Sequence, residues 1–149
     1  MDKINTKVGD VSIQADFSGP IDRISAAQKA LNLQIVADST PYIPFQQGAL
    51  RSAVSYPDGV DGGEIQWGGG AVGVPYAHYQ YMGTVYGPNY PQKDAAGNII
   101  GWASPPKKYP TQRNLQYHTP GTTAQWVEAA KAKHLPDWEK IVKDKLTGD

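Results

Sequence analysis

The sequence predicts an α+β fold: a small, mostly antiparallel β-sheet with a long amphipathic helix and C-terminal helices packed on it, and a long Pro/Gly-rich loop. Three observations carry that expectation. Ile21, Ile24, Gln28, Leu31 and Ile35 recur at helical spacing, whereas Val11, Ile13, Ala15 and Phe17 alternate with polar residues at the period of a half-buried strand. Between and beyond these runs, 16 glycines and 12 prolines punctuate the chain into short segments.

The elements follow in order. The alternating run 11–17 ends at Ser18-Gly19-Pro20, where Ser18 or Gly19 suits a helix cap and Pro20 a first position. The helix carries Asp22, Arg23, Lys29 and Asn32 off its apolar stripe. Pro41 and Pro44 fix φ and favour extended backbone at Thr40 and Ile43, so the helix is expected to stop there. Gly48 suits a turn at positive φ, and Ala49–Ser52 reads as a helical turn with Arg51 facing water or a partner. Ala53–Tyr56 and Glu64–Trp67 read as paired short strands around the turn residues 57–63.

Pro75 suits the start of a short helix and Gly83 its stop, with Tyr76, Tyr79 and Met82 on one face. From 84 to 118 the pattern dissolves into a long loop, with a tight turn over Asp94–Asn98 and short strands expected at Ile99–Trp102 and Asn114–Tyr117. Thr119 or Thr122 is the expected cap of the next helix, whose face includes Trp126, Ala129, Ala130 and Lys133. Pro136 is expected to break it and open a second helix with Trp138, Ile141, Val142 and Leu146 on one side. Thr147–Asp149 is expected to fray.

The length of 149 residues suits one domain, 1–149, with a single core. Hydrophobic residues make up 40% and charged residues 19%, a composition that folds. The formal net charge of zero argues against a dedicated nucleic-acid binder. With no cysteine there is no disulfide framework and no thiolate metal site. Met1–Lys7 lacks an apolar segment of signal-peptide length, and no run approaches the roughly 18 apolar residues of a membrane span. The expectation is a protein made and folded in a cytoplasm, with no membrane partner.

The residues offer little chemistry. His78, His118 and His134 fall in separate segments without HxH or HExxH spacing, so no metal is expected. Gly68-Gly69-Gly70 lacks the spacing of a phosphate cradle, and no GxSxG elbow occurs. Asp58, Asp61 and Glu64 near Trp67 are more simply turn formers than a glycosidase pair. The chain is expected to be no enzyme, with no cofactor and no small-molecule substrate. Its richest surface is the long loop, where Tyr86, Tyr90, Trp102 and Tyr109 stand among Lys93, Lys107, Lys108 and Arg113. Tyr and Trp are enriched where proteins meet each other, although such aromatics also pack under a protein's own loops.

The stretch "TPYIPFQQGALRSAV", then a Gly-rich hairpin, then "YAHYQYMGT" resembles small minor capsid proteins of tailed bacteriophages, in the tail-completion or neck group of phages of Gram-positive hosts. The resemblance runs from about Ile21 to Met82 and resumes at "TPGTTAQWVEAAKAKHLPDWEKIVK". It implies a non-enzymatic structural protein of the virion, assembled in the host cytoplasm as a ring at the head–tail junction. The partners implied are other copies of the chain and neighbouring neck or tail proteins. By the same resemblance Tyr76 and Ala77 are packing residues, and Pro41, Pro44, Gly48 and Leu50 form the structural motif. The segment 84–118 is an insertion on the family pattern, so its role comes from its residues alone. Arg51, Tyr86, Tyr90, Trp102, Lys107, Lys108, Tyr109 and Arg113 are the interaction candidates. Lys107, Lys108 and Arg113 are candidates for an acidic partner or for DNA in the channel, against the alternative of solvated loop charge. The competing function is a carbohydrate- or peptide-binding module using exposed Tyr and Trp.

Overall fold

A computed structural model describes residues 3–8, 10–45, 48–69 and 76–148, with the backbone alone for Ile4, Thr6, Val8, Val11 and Ile13. The chain opens with a hairpin that the sequence reading only half anticipated. Strand β2 (Val11–Asp16) forms where the alternating run was expected, with Phe17 beyond its end and 44% exposed. It pairs antiparallel with β1 (Lys3–Val8), from Lys3 opposite Asp16 to Val8 opposite Val11. Helix α1 (Ser18–Ser39) follows at once. The Ser18 amide and hydroxyl both donate to Asp16 Oδ1, at 3.0 and 2.6 Å. The hydroxyl above all holds the Asp16 carboxyl below the usual carboxylate range.

The face that α1 buries differs from the expected stripe. Ala27, Asn32 and Ser39 are buried, Leu31 and Ile35 half-buried, and Ile21 and Ile24 are 43% and 60% exposed. Asn32, expected on the polar side, is held inward because its Nδ2 donates to the carbonyls of Val60 and Gly62 at 2.9 and 2.8 Å. Gln28 Nε2 completes the set by donating to Asn32 Oδ1 at 2.9 Å. An amide with both ends satisfied can be buried at modest cost. It fixes the turn 57–63 along the helix, where the Ser25 hydroxyl also donates to Asp61.

Thr40 corrects a second expectation. It stays helical (φ −53°, ψ −42°), and the chain passes through a 3-10 turn, Thr40–Tyr42, before Ile43 becomes extended. The bias against helical backbone before proline is overcome here by the Thr40 hydroxyl, which donates to the Val36 carbonyl at 2.6 Å. Gly48 does adopt a positive φ of 79°, opening the short helix α2 (Ala49–Ser52). Strands β3 (Val54–Ser55) and β4 (Gln66–Trp67) then pair antiparallel, and α3 (Ala77–Met82) ends at Gly83 in the left-handed conformation. The expected Pro75 start and Gly70 lie outside the described residues.

The segment 84–118 is more regular than its prolines suggest. β5 (Thr84–Gly87) pairs antiparallel with β8 (Tyr109–Asn114), and β6 (Tyr90–Lys93) with β7 (Ile99–Ala103). The expected strand at 114–117 therefore ends at Asn114 instead of starting there. Pro91 and Pro110 are tolerated because each ladder has only two strands, leaving outer edges on which no N–H is needed.

One continuous helix, α4 (Trp126–Thr147), replaces the expected pair and contains Pro136. It starts later than either threonine cap predicts. The Thr123 amide donates to the Tyr42 carbonyl and the Gln125 amide to the Tyr81 carbonyl, both at 2.9 Å, so those donors serve the core and not a first helical turn. Pro136 is carried because Trp126, Ala130 and Trp138 are buried on both sides of it, and tertiary packing outweighs the lost backbone bond. Gly148, expected to fray, closes the helix at a φ of 83° by donating to the Asp144 carbonyl.

Among the described residues the strands form four two-stranded antiparallel ladders, and α1 packs chiefly along α4. The core joins the structural motif to the helix: Ile43, Leu50, Ala77 and Trp126 are buried together, with Tyr42, Trp67 and Tyr81 against them. Trp126 receives Tyr81 edge-on at 4.7 Å between ring centroids and Trp67 at 6.4 Å. Such edge-to-face pairs add about 0.5–1.5 kcal/mol beyond burial.

Candidate functional site

Seven of the eight interaction candidates fall on one arm, the two ladders between Thr84 and Asn114. Its root is fixed. The Leu115 amide donates to the Gly83 carbonyl at 2.8 Å, the Thr111 hydroxyl to the Val85 carbonyl at 2.7 Å, and the Tyr117 hydroxyl to the Gln80 carbonyl. Burial pushes the Tyr117 hydroxyl's pKa up, so it stays a donor across the physiological range. At Gly83 a Cβ would meet the Ala124 Cβ at 2.6 Å, and only glycine allows so close an approach at its φ of 71°. Tyr86 belongs to this root: its ring lies 4.8 Å from that of Tyr79 and 6.4 Å from that of His78.

Among the described residues nothing ties down the outer ladder in the same way. Every residue of β6 is exposed, Tyr90 included, and so are Ile99, Ile100, Trp102 and Tyr109. Trp102 is 62% and Ile100 70% exposed. A two-stranded ladder alone is marginal in water, so its turn matters. Asp94 builds that turn: Oδ1 accepts from the amides of Ala96 and Asn98, both at 2.9 Å, and its own amide donates to the Asn98 carbonyl. The Asn98 amide is the main cause holding the Asp94 carboxyl below the usual range. Gly97 turns the chain at a φ of 86°.

The arm is basic as well as aromatic. Lys93, Lys107 and Arg113 are exposed, and Lys108 reaches across the arm to donate to Asn89 Oδ1 at 2.6 Å. Asp94 is the sole acidic residue between 84 and 118, so the segment carries a net +3 from three lysines and one arginine.

Arg51 stands apart on α2 and turns inward. Its Nε donates to the Ile43 carbonyl at 3.0 Å, and its guanidinium lies 4.9 Å from the Phe45 ring centre. Within the structural motif, Pro41 sits in the 3-10 turn, Leu50 and Ala77 are buried, and Pro44 is half-buried. Tyr76 is exposed and lines a cleft with Pro44, Phe45, Gly48, Tyr117 and His118.

Sequence reasoning missed an apolar trough between α1 and α4. Leu31 and Ile35 line a groove of about 540 Å³ with Leu135, Trp138, Val142 and Leu146 of α4, and its walls are almost wholly carbon. The same two residues line a second groove with Gly63, Ile65 and Trp67. Leu31, Ile35, Val142 and Leu146 were legible as apolar helix faces, but not as faces left partly open. Asp58, Asp61 and Glu64 are all exposed on the 57–64 turn, whose Gly63 lines the second groove. Asp61 is held in the charged form chiefly by the Ser25 hydroxyl.

Among the described residues no three His, Asp or Glu side chains gather to hold a metal ion. Nor is any helix among them long and apolar enough to cross a membrane. A family model described as "Minor capsid protein" (Minor_capsid_2) matches residues 11–145. No curated protein and no solved structure matches the chain.

Proposed function

We propose a head–tail joining role for this chain, which belongs to the minor capsid protein family and is a structural component of a bacteriophage virion. In this reading it completes the neck as a ring, works through protein–protein contacts without catalysis, and meets neighbouring neck or tail proteins. The observation that carries the reading is the arm: a hydrogen-bonded root supporting an outer ladder on which Tyr90, Ile100 and Trp102 are exposed, with Tyr109 exposed on β8. Aromatic surface held on a fixed base is what protein interfaces use as anchors. A ring needs one patch to meet a different patch on its neighbour, repeated until the rotation closes. The basic side chains Lys107 and Arg113 suit an acidic protein surface or the phosphates of channel DNA.

Deleting the gene from its phage tests this role. The expected outcome is filled heads and separate tails in negative-stain images, rejoined when the purified protein is added. Normally joined particles without the protein would overturn it, as would loss of heads altogether.

A further inference from the structure

We propose that the arm tip of one copy docks across α1 of the next copy, over the trough floored by Leu31 and Ile35. The inference rests on the ring reading above and gives it a contact. Two unpartnered apolar surfaces of opposite shape occur on the same chain. One projects: Ile100 and Trp102 are both largely exposed on β7, Ile100 where the pairing with β6 slips by a residue. The other is the trough, whose volume admits more than one large side chain. Ile24, one helical turn before Gln28 and two before Leu31, is exposed and extends its apolar surface along α1.

Charge selects the same pairing. The arm carries +3. Asp58, Asp61 and Glu64 give the turn 57–64 a net −3, and Ser25 and Asn32 hold that turn against α1, the helix whose Leu31 and Ile35 line the trough. The rest of the chain is therefore neutral, the total being zero. Opposite charges on the projection and on the turn along α1 favour an arm-to-body contact and oppose arm-to-arm pairing. Covering the ladder also removes the exposed apolar face that leaves a two-stranded arm marginal. The contact is heterologous, so copies add in one direction and close into a ring if the rotation permits.

The absence of native cysteine makes the test direct. Ile100→Cys and Leu31→Cys chains, each checked for native folding by circular dichroism, are kept reduced and then oxidised with a mild oxidant, each alone and as a mixture. The expected result is a disulfide-linked dimer in the mixture and not in either chain alone. Cross-linking of Ile100→Cys with itself, or no cross-link at concentrations where light scattering shows association, overturns the proposal. So does a chain that remains monomeric at every concentration reached. The exposed charges give a second test that does not touch the apolar residues. Lys107→Glu with Lys108→Glu lowers the mixed cross-link by about tenfold, and Asp58→Lys with Asp61→Lys on the trough partner restores it. Failure of the cross-link with particle joining still dependent on the protein overturns this contact alone. A cross-link in a protein that phage joining does not need overturns the neck reading alone.

Discussion

Trp138 Nε1 donates a 2.7 Å hydrogen bond to Asp38 Oδ2, tying the middle of α4 to the end of α1. His134 Nδ1 lies 4.0 Å from the same oxygen, and Asp38 is otherwise shielded between the two helices. Trp138→Phe keeps the ring's apolar contact and removes the donor. A hydrogen bond to a charged group contributes about 1.5–3 kcal/mol, so urea unfolding is expected to show a loss of that size. A change near zero would mean that the two helices are held by apolar contact alone.

Asn32 is the clamp between α1 and the turn 57–63. Asn32→Ala leaves the Val60 and Gly62 carbonyls without their donor. The expected loss is about 1–3 kcal/mol. Amide exchange locates it: Gly62, whose amide donates to the Gly59 carbonyl, exchanges faster in the variant than the interior of α1 does.

Gly83 and Gly121 separate two glycine effects. Both have positive φ, 71° and 81°, but an added Cβ meets Ala124 at Gly83 and nothing within 4 Å at Gly121. Gly121→Ala is expected to cost about 1–2 kcal/mol from backbone strain. Gly83→Ala adds an overpacking cost of about 1–3 kcal/mol, measured as the difference between the two unfolding midpoints. Equal losses would contradict the close packing of the arm's root.

Asp94 makes the arm's turn sensitive to acid. Its folded pKa is lowered from the ordinary 3.8, chiefly by the Asn98 amide. Its contribution is therefore present above the ordinary carboxylate pKa and lost as pH falls through the lowered value. NMR titration of the Ala96 and Asn98 amides is expected to give midpoints below 3.8. Midpoints at or above that value would show that the turn does not hold the carboxylate.

The regular periods were legible in the sequence: α1, β2, α2 and the Gly83 stop all follow from spacing and turn residues. What escaped it depended on partners distant in the chain. The start of α4 is set by carbonyls of Tyr42 and Tyr81, and Asn32 is buried by carbonyls 28 and 30 residues away. Strand β1 escaped because Lys3, Asn5 and Lys7 make it polar, though a Gly-Asp dipeptide precedes Val11. The aromatic and basic residues of the arm were readable as a cluster. Their mounting on paired strands was hidden by the prolines, which two-stranded ladders accept at their edges. Arg51 was misread as outward because its acceptor, the Ile43 carbonyl, is exposed only once the motif has turned.

Assembly through the arm can be read in a single mixing experiment. Purified heads and tails lacking the protein are mixed with the native chain or with Ile100→Asp/Trp102→Asp, and joined particles are counted in negative-stain images. Both side chains are exposed, so the variant is expected to fold with an unchanged unfolding midpoint. The account predicts joining with the native chain and at most background joining with the variant. Equal joining by the two would contradict it.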